Sequence, residues 1–261
     1  MDLFTSIVYG IIQGVTEFLP VSSSGHLALI PKFLKVTDPG AAFDLMMHVG
    51  TASAIVVYFS KEVKALVSEL FNFLKSPRNY QSPNKSYFIQ FTLATFITGT
   101  IAFFIKEWAS SFGRGAIIIG SNLVVFGVLM FISDRNKNDN EHIDVKKSLL
   151  IGLAQALAVF PGVSRSGVTL TTARFLGVSR KESARFSFLL SLPIIFIGAI
   201  ARLGEIPAEV NFAALFTGVF VSFVVGLLTI YYFLKILSSM GLWVFALYRV
   251  FLAVVIFYVL A

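Results

Sequence analysis

"SIVYGIIQGVTEFLPVSSSGHLALIPKFLKV", residues 6–36, decides the fold, because the chain holds a second copy of it. A shift of 142 positions lays it on "SLLIGLAQALAVFPGVSRSGVTLTTARFLGV", residues 148–178. Eleven positions then coincide: Ser6/Ser148, Gly10/Gly152, Gln13/Gln155, Phe18/Phe160, Val21/Val163, Ser22/Ser164, Ser24/Ser166, Gly25/Gly167, Phe33/Phe175, Leu34/Leu176 and Val36/Val178. Lys32 over Arg174 keeps its charge as well. Each copy begins as a short apolar stretch, 3–19 or 148–160, and breaks at once into proline, glycine and serine. Interrupted apolar segments of this kind are re-entrant or broken helices, which a membrane tolerates only where protein buries them or water reaches them.

The rest of the chain supplies the membrane. Of 261 residues, 56% are hydrophobic and 13% charged, where a soluble domain would carry about a quarter charged. Six stretches read as full spans: 42–59, 87–105, 115–133, 184–203, 210–233 and 241–260. The absence of cysteine excludes disulfides and thiolate metal sites. The opening "MDLFTSIVYG" carries an acid where a signal peptide would be positive, so no cleaved targeting segment is expected. The formal charge of +7 reads as basic cytoplasmic loops, and no nucleic-acid partner is expected.

Charge sets the orientation. The polar loop 60–86 holds Lys61, Lys64, Lys75, Arg78 and Lys85, and the loop 134–147 holds Arg135, Lys137, Lys146 and Lys147. The segment 106–114 has only Lys106 and Arg114, and 204–209 has Glu205 and Glu209 with no basic residue. The first two loops are therefore cytoplasmic; the last two segments and both termini face outward. Three spans follow each copy, so the second copy enters from the opposite side. The expected architecture is a single all-α integral membrane domain, 1–261, of six transmembrane helices and two re-entrant helix pairs. It is an inverted-topology repeat, with pseudo-repeat 1 at about 1–134 and pseudo-repeat 2 at about 145–261, and its site lies near the midplane where the broken elements meet.

The copies differ where chemistry would sit. Glu17 and His26 in the first face Val159 and Val168 in the second, while Arg165 and Thr169 in the second face Ser23 and Leu27 in the first. One half brings an acid and an imidazole, the other a guanidinium, so together they make one composite pocket. "PGVSRSG", 161–167, is a turn of glycine and hydroxyls around an arginine, leading into a helix near Gly167; it suits a phosphate-like anion. Ser22, Ser24 and Gly25 offer the same geometry opposite Ser164, Ser166, Gly167 and Thr169. Glu17 is placed to hold a divalent cation or act as general base, His26 as nucleophile or general acid, and Ser22 or Ser23 as an alcohol nucleophile. Small polar residues also pack helix on helix in membranes, and the serines taken singly carry that reading too. Ionisable groups in hydrocarbon default to function, which favours Glu17, Arg165 and His26. Asp44 and His48, one turn apart, either support the site or satisfy each other and a buried partner such as Arg249. Gln13 and Gln155 read equally as glue, and His142 as solvated.

With these residues in view, the chain resembles the undecaprenyl-diphosphatase family of bacteria, the bacitracin-resistance type, over essentially its whole length. "QGVTEFLPVSSSGH", 13–26, is similar to that family's first signature and "PGVSRSGVT", 161–169, to its second. The resemblance implies removal of the terminal phosphate of undecaprenyl diphosphate, which recycles the lipid carrier of cell-wall synthesis and confers bacitracin resistance. It implies a divalent cation, Mg²⁺ or Ca²⁺, and a site at the outer face of the bacterial inner membrane. It makes Arg165 the phosphate-binding arginine, with Ser164, Ser166 and Thr169 around it. Many members have Glu where this chain has Gln13, and an amide is a poorer metal ligand than a carboxylate, which places the metal at Glu17 and leaves Gln13 doubtful. Ser23, His26 and water stay open as the attacking group, with Ser23 favoured because Arg165 holds its position in the twin. A homodimer is left open.

Two rivals differ in kind. The membrane phosphatases with "PSGH" and "SRxxxxxHxxxD" motifs are excluded, since the required His and Asp fall on Thr171 and Phe175. A transporter or flippase of the polyprenyl phosphate carrier would share the inverted repeat, and differs in needing no positioned nucleophile.

Overall fold

The computed structural model describes residues 2–78, 80–111, 115–136, 138–202, 204, 211–237 and 239–260; the expected charges at Arg114, Lys137, Glu205 and Glu209 lie outside them. The described residues form helices and no strand. In chain order these are α1 (Leu3–Thr16), α2 (Ser23–Leu27), α3 (Ile30–Leu34), α4 (Gly40–Tyr58), α5 (Ser60–Lys75), α6 (Lys85–Ser111), α7 (Ala116–Ser133), α8 (Val145–Ala156), α9 (Arg165–Phe175), α10 (Arg180–Arg202), α11 (Phe212–Ile236) and α12 (Trp243–Leu260).

Helices α6, α7, α10, α11 and α12 are each long and apolar enough to cross a bilayer, and they fall on five of the six expected spans. The remaining expectation, 42–59, corresponds to α4, which reaches that standard only together with α5, across a bend of 91°. The chain is an all-helical membrane protein. The stretch 60–86 is not the plain polar loop expected of it, because its first part is α5. Val63, Leu66, Val67, Leu70, Phe71 and Leu74 recur there at helical spacing between lysines and glutamates, a pattern the count of loop charges passed over.

The two copies fold alike in detail. Asp2 and Asp144, again 142 apart, cap α1 and α8 by accepting the backbone N–H groups of Thr5 at 2.7 Å and Lys147 at 2.8 Å. Ser22 and Ser164 occupy left-handed backbone at φ 74° and 69°, strained for a residue with a Cβ, and each hydroxyl accepts from the glycine N–H three residues on. Lys35 and Gly177 end the copies in the left-handed conformation, at φ 54° and 76°. Between these points the copies diverge. Pro31 lacks an N–H and its ring crowds the preceding turn, so the first copy breaks into α2 and α3, whereas Ala173 lets α9 run unbroken.

Packing crosses between the halves: α1 lies on α11 and α8 on α6, while α4 meets α10 and α7 meets α12. Lipid tails are as apolar as the helix faces, so these crossings depend on close backbone approach rather than on hydrophobic burial. A Cβ on Gly10 would come within 2.5 Å of the Gly218 carbonyl of α11, and one on Gly152 within 2.5 Å of the Ala94 carbonyl of α6. Below the first turn, Phe18 packs edge-on against Phe188 at 5.1 Å, and Phe188 in turn against Phe233. At the far end, Asp134 accepts two bonds from Arg180 and one from the Leu242 N–H, tying α7, α10 and α12.

Candidate active site

Glu17 follows the last residue of α1 and is 5% exposed. A carboxylate that deep needs donors on both oxygens, and four side chains supply them. Arg165 donates to Oε1 at 2.7 Å, while Gln13 and Ser23 donate to Oε2 at 2.9 Å each. His48 Nε2 stands 3.2 Å from Oε2, with Nδ1 2.8 Å from the Asp44 carbonyl. Both ring nitrogens of His48 thus face oxygen acceptors, and the imidazole makes both contacts as a donor when it carries two protons. The acid of the first copy and the guanidinium of the second meet directly.

The second guanidinium nitrogen of Arg165 donates to the Ser187 carbonyl at 3.0 Å, fixing the fork from α10. Ser187 also shares a 2.6 Å bond with Thr169. The turns clasp each other as well: the Gly162 N–H donates to Ser24 at 3.3 Å, and Ser166 donates to the Leu19 carbonyl at 3.2 Å. The helix after the second turn starts at Arg165, two residues before the expected Gly167, because Ser164 is its cap.

A cavity of about 440 Å³ opens over this cluster. Of the residues singled out in the sequence, Glu17, Ser23, Ser24, His48, Gln155, Ser164, Arg165 and Ser166 line it. Ser22, Gly25 and Gly167 stand outside the lining and hold the turns through the capping bonds described above, and Thr169, also outside it, lies within α9 and bonds Ser187. His26 is not on the lining either. Its Nδ1 lies 2.8 Å from the Ser22 carbonyl and its Nε2 2.8 Å from the Tyr248 hydroxyl, so the ring is turned toward α12.

Arg249 does not partner Asp44 or His48. It is fully buried and donates to backbone carbonyls of both turns and of α7: Pro20, Gly162, Val163, Asn122 and Leu123. A guanidinium has five donors and no acceptor, which suits a site crowded with orphan carbonyls at two chain breaks. Its position on the third span of the second half gave no signal of this. His142 is exposed, as expected. Sequence reasoning also passed over Lys106, Thr98 and Ser191, which line the cavity, and read Gln155, which lines it with them, equally as glue between helices. Lys106 carried a usable signal, being a lone cation beside an apolar span.

A bound cation can be tested against these groups. The described residues contain no cluster of three acid, imidazole or thiol groups that would cage a metal. Glu17 offers one carboxylate, and beside it the Gln13 carbonyl oxygen is buried without a hydrogen-bond partner. One carboxylate and one amide oxygen fit a hard ion of the Mg²⁺ kind, which commonly takes its other ligands from phosphate oxygens and water.

The arrangement unites a hydroxyl hydrogen-bonded to a carboxylate, a guanidinium and two serine turns beneath a cavity in a membrane protein. The family model described as bacitracin resistance protein BacA matches residues 6–255. A protein of Aliivibrio salmonicida (strain LFI1238) named undecaprenyl-diphosphatase is 40% identical over 261 residues, covering 97% of this chain and 96% of that protein.

Proposed function

The chain belongs to the bacitracin resistance protein BacA family, and from that premise we propose that it is a polyprenyl diphosphate phosphatase. It converts undecaprenyl diphosphate and water into undecaprenyl phosphate and inorganic phosphate. The observation that carries this reading is the Ser23 hydroxyl donating to Glu17 at 2.9 Å while Arg165 holds the other oxygen of the same carboxylate. A nucleophile, its base and an anion-binding fork share one cavity.

The residues act as follows. The terminal phosphate takes the guanidinium of Arg165, with Ser24, Ser164 and Ser166 as further donors on the cavity wall. Ser23 Oγ attacks the terminal phosphorus and passes its proton to Glu17, while the bond from phosphorus to the bridging oxygen breaks and undecaprenyl phosphate leaves. Water then attacks the phosphoserine, inorganic phosphate departs and the serine hydroxyl is restored. Gln13 and His48 hold Glu17 in place as a base. A divalent cation, Mg²⁺ or Ca²⁺, would be held by Glu17 with the Gln13 carbonyl, and when bound it neutralises charge on the diphosphate. His26, bonded to Tyr248, serves as a proton donor or acceptor at the margin of the site rather than as the nucleophile.

The same proposal includes six spans and two re-entrant pairs in an inverted repeat, in the inner membrane, with the cavity toward the outer face. The matched turns, the crosswise packing of α1 and α8 and the lysine-rich segments support it. The activity places the protein in cell-wall lipid recycling and bacitracin resistance. Release of inorganic phosphate from undecaprenyl diphosphate by purified protein tests the reading. A protein that only carries the lipid across the bilayer would bind it and release none.

A further inference from the structure

Beside the polar cavity runs a second, apolar one. It is a groove of about 740 Å³ between α5, α6 and α10, with Leu70 and Phe88 at one end and Phe103 and Ile194 at the other. Ile194 lines both cavities, so the groove adjoins the polar site. The boundary has two faces: Lys106 lines the polar side, and its ammonium stands 4.6 Å from the ring centroid of Phe103 on the apolar side. From Phe88 to Phe103 along α6 is about 22 Å at 1.5 Å per residue, roughly three-quarters of the hydrocarbon thickness.

Gly99 lines the groove one turn before Phe103, nearer its polar end. A Cβ there would meet nothing within 4 Å, unlike those at Gly10 and Gly152, where a neighbouring helix backbone demands glycine. Inside a helix, glycine costs about 1 kcal/mol relative to alanine. Among the described residues nothing packs where its side chain would be, and its effect is an open groove floor.

We propose that this groove holds the hydrocarbon tail of the lipid diphosphate, laid along α6 with its headgroup turned at Ile194 into the serine-lined cavity. The proposal rests on the phosphatase reading and names the part of the molecule that selects for a long single chain. Its support is the adjacency of the two cavities across one shared residue, together with a cation and an aromatic ring marking the junction. An anionic head on an apolar tail has that same division of chemistry.

The test fills the groove without touching the polar site. Gly99→Phe, with Gly99→Ala as a size control, is purified in detergent alongside the parent protein, and thermal unfolding checks the fold. Phosphate release is measured with undecaprenyl diphosphate and with farnesyl diphosphate. The expected result is that Gly99→Phe lowers the ratio of kcat/KM for the long over the short substrate about tenfold, mostly through KM, while Gly99→Ala leaves the ratio unchanged. An unchanged ratio for Gly99→Phe overturns the proposal and leaves the groove to bulk membrane lipid. A photoreactive polyprenyl phosphate gives an independent measurement. Labelling of α6 and α10 that Gly99→Phe suppresses supports the groove, and labelling spread evenly over α7 and α12 overturns it. Should the parent protein release no phosphate from either substrate, the phosphatase reading fails, and the labelling still decides whether the groove takes a polyprenyl chain.

Discussion

Glu17 and Arg165 are 148 positions apart in the chain and touch at 2.7 Å, the carboxylate buried and the guanidinium partly so, each at the chain break of a different copy. Neither copy could make this contact with itself, since Val159 stands where Glu17 would be and Ser23 where Arg165 would be. The guanidinium and the carboxylate neutralise each other, so under the proposed function a diphosphate competes with Glu17 for Arg165.

Removing one partner leaves a buried charge unpaired, which costs about 3–5 kcal/mol. Arg165→Ala is therefore expected to lower both thermal stability and phosphate release, the latter by about two to three orders of magnitude. Arg165→Lys keeps the charge but loses the planar fork and should also lose most activity. The double variant Glu17→Gln with Arg165→Met removes both charges and should recover stability without activity. Unfolding in detergent alongside phosphate release separates the two effects, and Arg165→Ala with near-normal turnover would remove the residue from the site.

His48 reaches the same carboxylate from α4, through a contact of 3.2 Å. If it positions Glu17, His48→Gln, which can still donate to Oε2, should retain more activity than His48→Ala. The alanine variant is expected to lose about tenfold to a hundredfold, as residues that orient a functional group commonly do. The loss should lie in kcat rather than KM, because the proposed mechanism gives substrate binding to Arg165 and not to His48. Equal kinetics for the two variants would mean that His48 only packs.

The repeat, the helices and the meeting of Glu17 with Arg165 were legible in the sequence because each leaves a local mark. Proline, glycine and serine at matched offsets betray the chain breaks, and an ion within an apolar stretch has few reasons to be there. His48 was left open between supporting the site and pairing with Asp44 and Arg249, and Lys106 was not assigned to the site, because their part in it depends on the rotation of a long helix, which 42–59 or 87–105 as an apolar run does not encode. Arg249 was hidden for a related reason: its partners are backbone carbonyls, which carry no side-chain identity to read. His26 shows the reverse. It is next to the serine turn in sequence, yet the short helix α2 rotates its ring toward Tyr248.

Orientation is testable without preparatory mutagenesis, because the chain has no cysteine. Single cysteines at Ser76, an exposed position just after α5, and at Glu209 in the acidic segment are expected to label from opposite sides of the membrane with an impermeant maleimide. Ser76 should be cytoplasmic, where the lysines of α5 favour the inner surface. Labelling of both from one side would contradict the inverted repeat and the composite site built on it.

The attacking group is the sharpest question, and the geometry separates the candidates. Ser23 has its hydroxyl 2.9 Å from a carboxylate oxygen and lines the cavity; His26 has both ring nitrogens occupied, by the Ser22 carbonyl and the Tyr248 hydroxyl, and does not line it. A nucleophile acts only in the transition state, so its loss removes turnover and spares binding. Ser23→Ala should cut kcat at least about a thousandfold, keep lipid binding and gain nothing from added Mg²⁺. His26→Ala should fall less, by about ten- to a hundredfold, with a changed pH profile, as expected of a group that moves a proton. Tyr248→Phe removes the hydroxyl bonded to Nε2 and should shift the same profile with little change in maximal rate. Phosphate release across pH 5 to 9, with brief quenching to trap a phosphoserine on Ser23, measures all three. A Ser23→Ala protein that keeps substantial turnover, beside a His26→Ala protein inactive at every pH, would make histidine the nucleophile and reduce Ser23 to a ligand of Glu17.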